Sequence, residues 1–376
     1  MQGRLPAGLA MLLTVVFFAG AAFASTEPLF LWGEGTAKFV VKNRGNRIDA
    51  MREALVQQNV PLWQGAFTSN SVTYSYTMVG TDPSFGSETT VIPVVLIPIK
   101  FVFSDATRLN PKTVACGDTE SALQRTLNSP LFQDYPFFPG PGNAGPVTVG
   151  TTQYIDAFQR ANFWKQVQTF SPDYHVLFSV DVVPQQRIAV SGANGTTMTG
   201  PCARIGLVDI DFFDQVAQDL IRALAIPPTS LPLFLDYNTL FYELSRSNCC
   251  ILGYHGVTSD NQTYAVAVYS DPGLFGSSML QDVHALSHEL AEWADDPFGD
   301  NATPGWSGGQ ATACQFNLEV GDPVSGVGFQ AALNGKTYHL QDLVFLPWFA
   351  RKAVSKSISG QYTFLGTYQS PPNQCF

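Results

Sequence analysis

Charge is what this sequence has least of. Of 376 residues, 13% are Asp, Glu, Lys or Arg, against about 25% in an average soluble domain. Coiled coils, long helical bundles and acidic disordered tails need far more charge or far fewer aromatics. The 28 Phe residues and 12% aromatic content exclude them. Basic residues are outnumbered, 20 Lys and Arg against 30 Asp and Glu, for a net charge of −10. No basic surplus exists to neutralise phosphates, so a nucleic-acid partner is not expected. A P-loop and the C-x-x-C spacing of cysteine metal sites are also lacking. No Ser/His/Asp nucleophile is read from the sequence.

What is there begins with an export signal. Arg4 gives a positive start, Leu9 to Phe18 is a short apolar run, and Ala22-Phe23-Ala24 fits a cleavage site. The mature chain is then expected to begin at Ser25, in an extracellular or periplasmic compartment. No later segment should span a membrane. The apolar run Val91 to Phe103 is too short and is broken by Pro93, Pro98 and Lys100. Six cysteines (Cys116, Cys202, Cys249, Cys250, Cys314, Cys375) all follow the signal. An even count in an exported chain points to disulfides. Adjacent Cys249 and Cys250 are expected to take separate partners.

Residues 25–65 read as a lead-in or pro-segment with one helix at 47–57, and 66–376 as a single domain. Strand patterns dominate its N-terminal part, at 71–78 and 90–103. Helix patterns follow at 119–127, 154–170 and 211–225, with strands at 174–183, 187–190, 250–254 and 264–269. A helix is expected over 278–294, then a loop over 297–313. Asn334-Gly335 predicts a tight hairpin. The fold class is α/β in the α+β sense: a mixed sheet, a β-rich N-terminal part and one helix carrying chemistry.

That helix holds His284, His288 and Glu292, each four residues and one turn beyond the last. Side chains at this spacing can share one metal ion, and imidazole and carboxylate both ligate Zn²⁺. His288-Glu289-Leu290-Ala291-Glu292 is an H-E-x-x-E unit, the H-E-x-x-H zinc helix with a carboxylate as second ligand. Glu289 then points at the metal-bound water as general base. A third ligand is needed. Glu319 and Asp322 stand close downstream in a stretch otherwise free of charge. Glu319 is preferred, with Asp322 either behind it or as the alternative ligand. His284 is a second alternative, though Ser287 would then hold the base position. Opposed to all this is a plainer possibility, that the polar residues simply form a solvated helix face over the apolar side of Leu286, Leu290 and Trp293. Among the other histidines, His339 could stabilise an oxyanion or support the site. His255 reads as a buried hydrogen-bonded residue and His175 is assigned nothing.

Ser287-His288-Glu289-Leu290-Ala291-Glu292, an Asp-Pro helix end, a Trp/Gly loop and Glu319-Val320-Gly321-Asp322 resemble a group of secreted bacterial H-E-x-x-E metallopeptidase-like proteins. The same residues are similar to the plant exordium (phosphate-induced) proteins. The likeness covers 280–325 well, and 70–105 and 335–350 loosely. It implies His288 and Glu292 as ligands, Glu289 as base, and Glu319 or Asp322 completing the site. Relatives often carry Cys shortly after Glu-x-Gly-Asp. Here Val324 stands there, with Cys314 or Cys375 as the substitutes. No Met follows Met279, so a metzincin with its Met-turn is excluded. The expectation is a secreted zinc endopeptidase acting on polypeptide. The alternative is a non-catalytic cell-wall or matrix binding protein of the same fold.

Overall fold

The computed structural model describes residues 38–42, 59–85, 88–137, 149–170, 173–354, 361–373 and 375. The signal segment and the helix expected at 47–57 lie outside the described residues. In chain order the strands are β1 (Lys38–Lys42), β2 (Leu62–Ser69), β3 (Val72–Val79), β4 (Thr89–Phe103), β5 (Arg108–Leu109), β6 (Tyr135–Phe137), β7 (Gly150–Thr152), β8 (His175–Val182), β9 (Gln186–Val190) and β10 (Gly195–Thr199). They continue with β11 (Arg204–Asp209), β12 (Leu231–Tyr237), β13 (Thr239–Tyr242), β14 (Cys249–Val257), β15 (Thr263–Tyr269), β16 (Ala302–Gly308), β17 (Ala311–Asn317), β18 (Gly328–Leu333) and β19 (Lys336–Gln341). The helices are α1 (Ala122–Leu127), α2 (Tyr154–Asn162), α3 (Trp164–Thr169), α4 (Ile210–Ala223), α5 (His284–Asp295) and α6 (Leu346–Phe349). The fold is mixed α+β with strands in the majority, as the sequence patterns indicate.

Eleven strands form one mixed sheet in the order β10-β11-β13-β14-β15-β12-β4-β5, with β1 on β14 and β8 and β9 on β4. β4, β12 and β15 run parallel. β14 is antiparallel to β15 and to β13. The 15-residue β4 shows why a sheet with two cores forms. Ile92, Val94 and Leu96 point into one core, and Ile97, Ile99, Phe101 and Phe103 into the other. Successive side chains alternate between faces, so apolar residues of both parities require cover on both. On one side lies α4, with Phe213 against Phe101, Phe234 and Phe241. On the other lies α5, packed on β14, β15 and β19.

Several local signals act as expected. The Asn334-Gly335 turn joins β18 to β19 with both residues at positive φ, 52° and 75°, as a type I′ turn needs. α1 begins three residues later than the 119–127 pattern. Ser121, not Thr119, caps it in a reciprocal box with Gln124. The helix read over 154–170 is two helices, broken at Phe163. The loop expected over 297–313 is largely hairpin, β16 and β17.

The cysteines pair as Cys116–Cys202, Cys249–Cys250 and Cys314–Cys375. Cα separations of 6.1 and 5.7 Å in the first and last are those of ordinary disulfides. The expectation that Cys249 and Cys250 take separate partners is corrected: the other four cysteines satisfy one another, and these two bond to each other. Among the described residues no helix is long and apolar enough to cross a membrane.

Candidate metal centre

α5 starts at His284, six residues after the patterned start. Residues 277–283 are occupied by turns, and Asp282, at φ 43°, bridges back to Ser270. Every residue of α5 is buried. His288 and Glu289 are 0% exposed, Glu292 1% and Glu319 3%. That removes the solvated-face alternative, because polar side chains so deep need partners.

The i, i+4 spacing brings His288 and Glu292 side by side. His288 Nε2 lies 2.9 Å from Glu292 Oε2 and 3.5 Å from Asp322 Oδ1. The other Glu292 oxygen accepts from the backbone N–H groups of Gly321 and Asp322, at 3.0 and 3.2 Å. The loop after β17 is thereby clamped onto the helix. It comes close because Gly321 has no side chain. A Cβ there would lie 2.4 Å from His288 Nδ1.

Two triplets of ligand atoms result, each with members within 4.8 Å of one another. One is His288, Glu292 and Asp322, and the other is His255, Glu292 and Glu319. Glu292 belongs to both. Of the two downstream carboxylates, Asp322 is thus grouped with His288, while Glu319 is grouped with β14's His255. Glu319 accepts from Asn317 Nδ2 at 2.8 Å, and its Oε2 is buried without a hydrogen-bond partner. Glu289 turns towards β14, with Oε2 3.4 Å from His255 Nδ1 and Oε1 buried without a hydrogen-bond partner. A third grouping, Cys116, Cys202 and Asp271, has its thiols tied up in a disulfide.

His284 joins neither triplet. Burial, and then His288, hold it down to about 3, so it is neutral. His339 sits apart with Asp282, Nδ1 to Oδ2 at 2.6 Å, and its Nε2 meets the amide nitrogens of Gln330 and Gln281 at 3.1 and 3.3 Å. His175 bonds Asp156.

The electrostatics are those of a carboxylate cluster short of cations. Burial raises Glu289 well above the ordinary range against the opposing pull of His288, and the charges of Glu292 and Asp322 add to the rise. Burial does the same to Glu319, again reinforced by Glu292. Asp322 is pushed up to about 6 by burial and then Glu292. Burial also works against charge on His288 and Glu292, but their mutual attraction outweighs it, holding His288 high and Glu292 low. Among the described residues no Lys or Arg forms an ion pair with any of the four carboxylates. A divalent cation fits such a set: oxygen and imidazole donors converge, and their repulsion calls for positive charge.

Three further residues shape the site. His255, expected as a buried hydrogen-bonded histidine, is one, with Nδ1 3.4 Å from Glu289 Oε2, and only the fold places it beside Glu292 and Glu319. Phe39, from β1, stacks on the His288 imidazole with centroids 3.5 Å apart. Gln310, in the β16–β17 turn, donates from Nε2 to Asp322 Oδ1. No local motif marks any of them. The sequence does contain one G-x-S-x-G spacing, at Gly305-Trp306-Ser307-Gly308-Gly309. Ser307 lies within β16 and not on a strand-to-helix turn, so it is no nucleophile elbow.

No protein-family model and no curated protein matches the chain. Among solved structures, metalloproteinase-II from Bacteroides fragilis is similar at 9% identity with a TM-score of 0.18, over 68% of this chain and 88% of the other. That likeness is too slight to carry weight.

Proposed function

We propose that the protein is an exported zinc-dependent endopeptidase. The observation that supports this is the convergence on Glu292 of two further carboxylates, buried Glu319 and half-buried Asp322, and two buried imidazoles, His255 and His288, without a compensating Lys or Arg among the described residues. His288, Glu292 and Asp322 would hold the ion, with the loop amides of 321 and 322 fixing Glu292 from behind and Glu319 standing beside it. A divalent ion there supplies Lewis acidity and lowers the pKa of water.

The remaining chemistry belongs to the chain. Burial raises the Glu289 carboxyl well above the ordinary carboxylate range, which favours its holding a proton between taking it and giving it up. It accepts a proton from the attacking water as the water oxygen bonds to the peptide carbonyl carbon. It then returns that proton to the departing amine nitrogen as the C–N bond breaks. His255 holds the Glu289 carboxylate from β14. The buried walls exclude bulk water.

Metal analysis of the purified protein, followed by cleavage assays on an unfolded protein substrate, tests the reading. One zinc per chain and cleavage abolished by chelation are expected. Bound zinc without cleavage would favour the matrix-binding alternative, and absence of stoichiometric metal would remove the mechanism.

A further inference from the structure

The edge of β14 that faces away from β15 has two occupants. β13 pairs with it only through Ile251 and Cys249. Beyond that point β1 takes over, running parallel to β14 from Ile251 to Gly256. This is the strand whose Phe39 ring lies flat on His288, at an interplanar angle of 16°.

β1 is held by its backbone, by the buried Phe39 ring, and at its two ends by Lys38 Nζ donating to Asn248 Oδ1 at 2.6 Å and Lys42 Nζ pairing with Asp211 Oδ1. Gln310 Oε1 accepts from Phe39 N–H at 3.0 Å, and Gln310 Nε2 donates to the Phe39 carbonyl at 2.9 Å. The same Nε2 reaches Asp322 Oδ1. One amide side chain thus links a strand's main chain to a proposed metal ligand. At the far end, a Cβ on Gly256 would lie 2.4 Å from the Lys42 carbonyl oxygen, so β14 is bare where that strand passes. Residues 38–41 form one wall of a cavity of about 400 Å³ whose other wall includes Glu292, Glu319 and Asp322.

We propose that this edge of β14 is the groove in which an extended polypeptide binds beside the metal site, and that β1 fills it as an internal competitor. The inference rests on the peptidase reading of the site. Strand addition uses main-chain hydrogen bonds, so it accepts many sequences, while individual pockets set preference. Gln310 reads backbone alone. The flat contact on His288 selects an aromatic side chain at the position of Phe39. No disulfide ties β1 in place, because the first cysteine is Cys116. A segment of the same chain competes at an effective concentration on the order of millimolar. While β1 is seated, a peptide of equal quality at micromolar concentration stays outside and the face of His288 stays covered.

The test is peptide binding, read separately from cleavage. A fluorescein-labelled peptide of residues 36–44 is titrated by anisotropy into full-length wild type, Phe39→Pro and Phe39→Ala. Phe39→Pro removes the N–H that Gln310 accepts and the ring on His288. Phe39→Ala removes the ring alone and is the milder change should the first disturb folding. Expected are no binding to wild type at micromolar peptide, at least tenfold tighter binding to the variants, and loss of that binding when the peptide carries alanine in place of the phenylalanine. Equal binding to wild type and variants, or none to variants whose far-UV spectra match wild type, would overturn the proposal. Peptide binding without any cleavage would uphold the groove and sink the peptidase reading alone.

Discussion

His288 Nε2 and Glu292 Oε2 stand 2.9 Å apart on successive turns of a fully buried helix. Each stabilises the other's charge against burial. Glu292 is also the one residue common to both ligand triplets, and it alone receives the two loop amides that bring Asp322 into reach. The centre is therefore organised around Glu292 and not around the histidine that leads the motif.

This asymmetry sets an order for zinc affinity, measured by calorimetry on purified variants. Glu292→Ala should weaken binding at least 100-fold, because a ligand and the loop clamp go together. Asp322→Asn should follow. Glu319→Gln should cost only the roughly 10- to 100-fold usual for a residue supporting a ligand. If Glu319→Gln exceeds Asp322→Asn, the ligand set is His255, Glu292 and Glu319 instead.

Glu289→Gln separates chemistry from binding. Glu289 packs over Gly253, where a Cβ would lie 2.6 Å from its Cγ; the glutamine keeps that shape but cannot carry a proton between water and amine. Cleavage should fall roughly 100- to 10,000-fold with zinc stoichiometry unchanged. Retained cleavage would show that another group is the base.

Gly321→Ala probes how closely the loop approaches the helix. Its Cβ would sit 2.4 Å from His288 Nδ1, with Cε1 and Cγ also within 3 Å. An imidazole at 0% exposure has little room to yield. Chemical denaturation should show a loss of about 1–3 kcal/mol, the usual cost of overpacking, and zinc binding should weaken in parallel. An unchanged melt with normal zinc affinity would mean that the loop moves freely.

What the sequence could reveal followed from how local the physics was. The helix and the approach of His288 to Glu292 were readable because one turn of helix fixes their spacing. The Asn334-Gly335 hairpin was readable because two residues determine it. The choice between Glu319 and Asp322 was not, since both stand in the same short segment and the difference lies in how 321 and 322 wrap onto Glu292. β12 escaped notice for a related reason. Leu231 to Leu235 is buried on both faces, so it lacks the alternation that marks a strand with one wet side. The position of β1 was beyond local reading altogether, because its partners are more than 200 residues away.

Away from the proposed ligands, Asp295 ends the same helix fully buried. It accepts from Gln159 Nε2 at 2.6 Å and Asn162 Nδ2 at 2.9 Å. Burial nevertheless pushes it up to about 7, from about 3.9 in an unfolded chain. Between those values the folded state keeps a proton that the unfolded state has lost. Its contribution is therefore complete below about pH 4 and is lost as pH rises to 7, a change on the order of 4 kcal/mol over the whole window. Asp295→Asn cannot titrate. Wild type should exceed the variant in stability by more at pH 5 than at pH 8, the gap shrinking by roughly 3 kcal/mol. Urea unfolding of both proteins in chelator, at the two pH values, measures this without linkage to metal. A gap that stays constant would mean that Asp295 is ionised in the folded protein throughout that range, with its two amide donors offsetting the cost of burial.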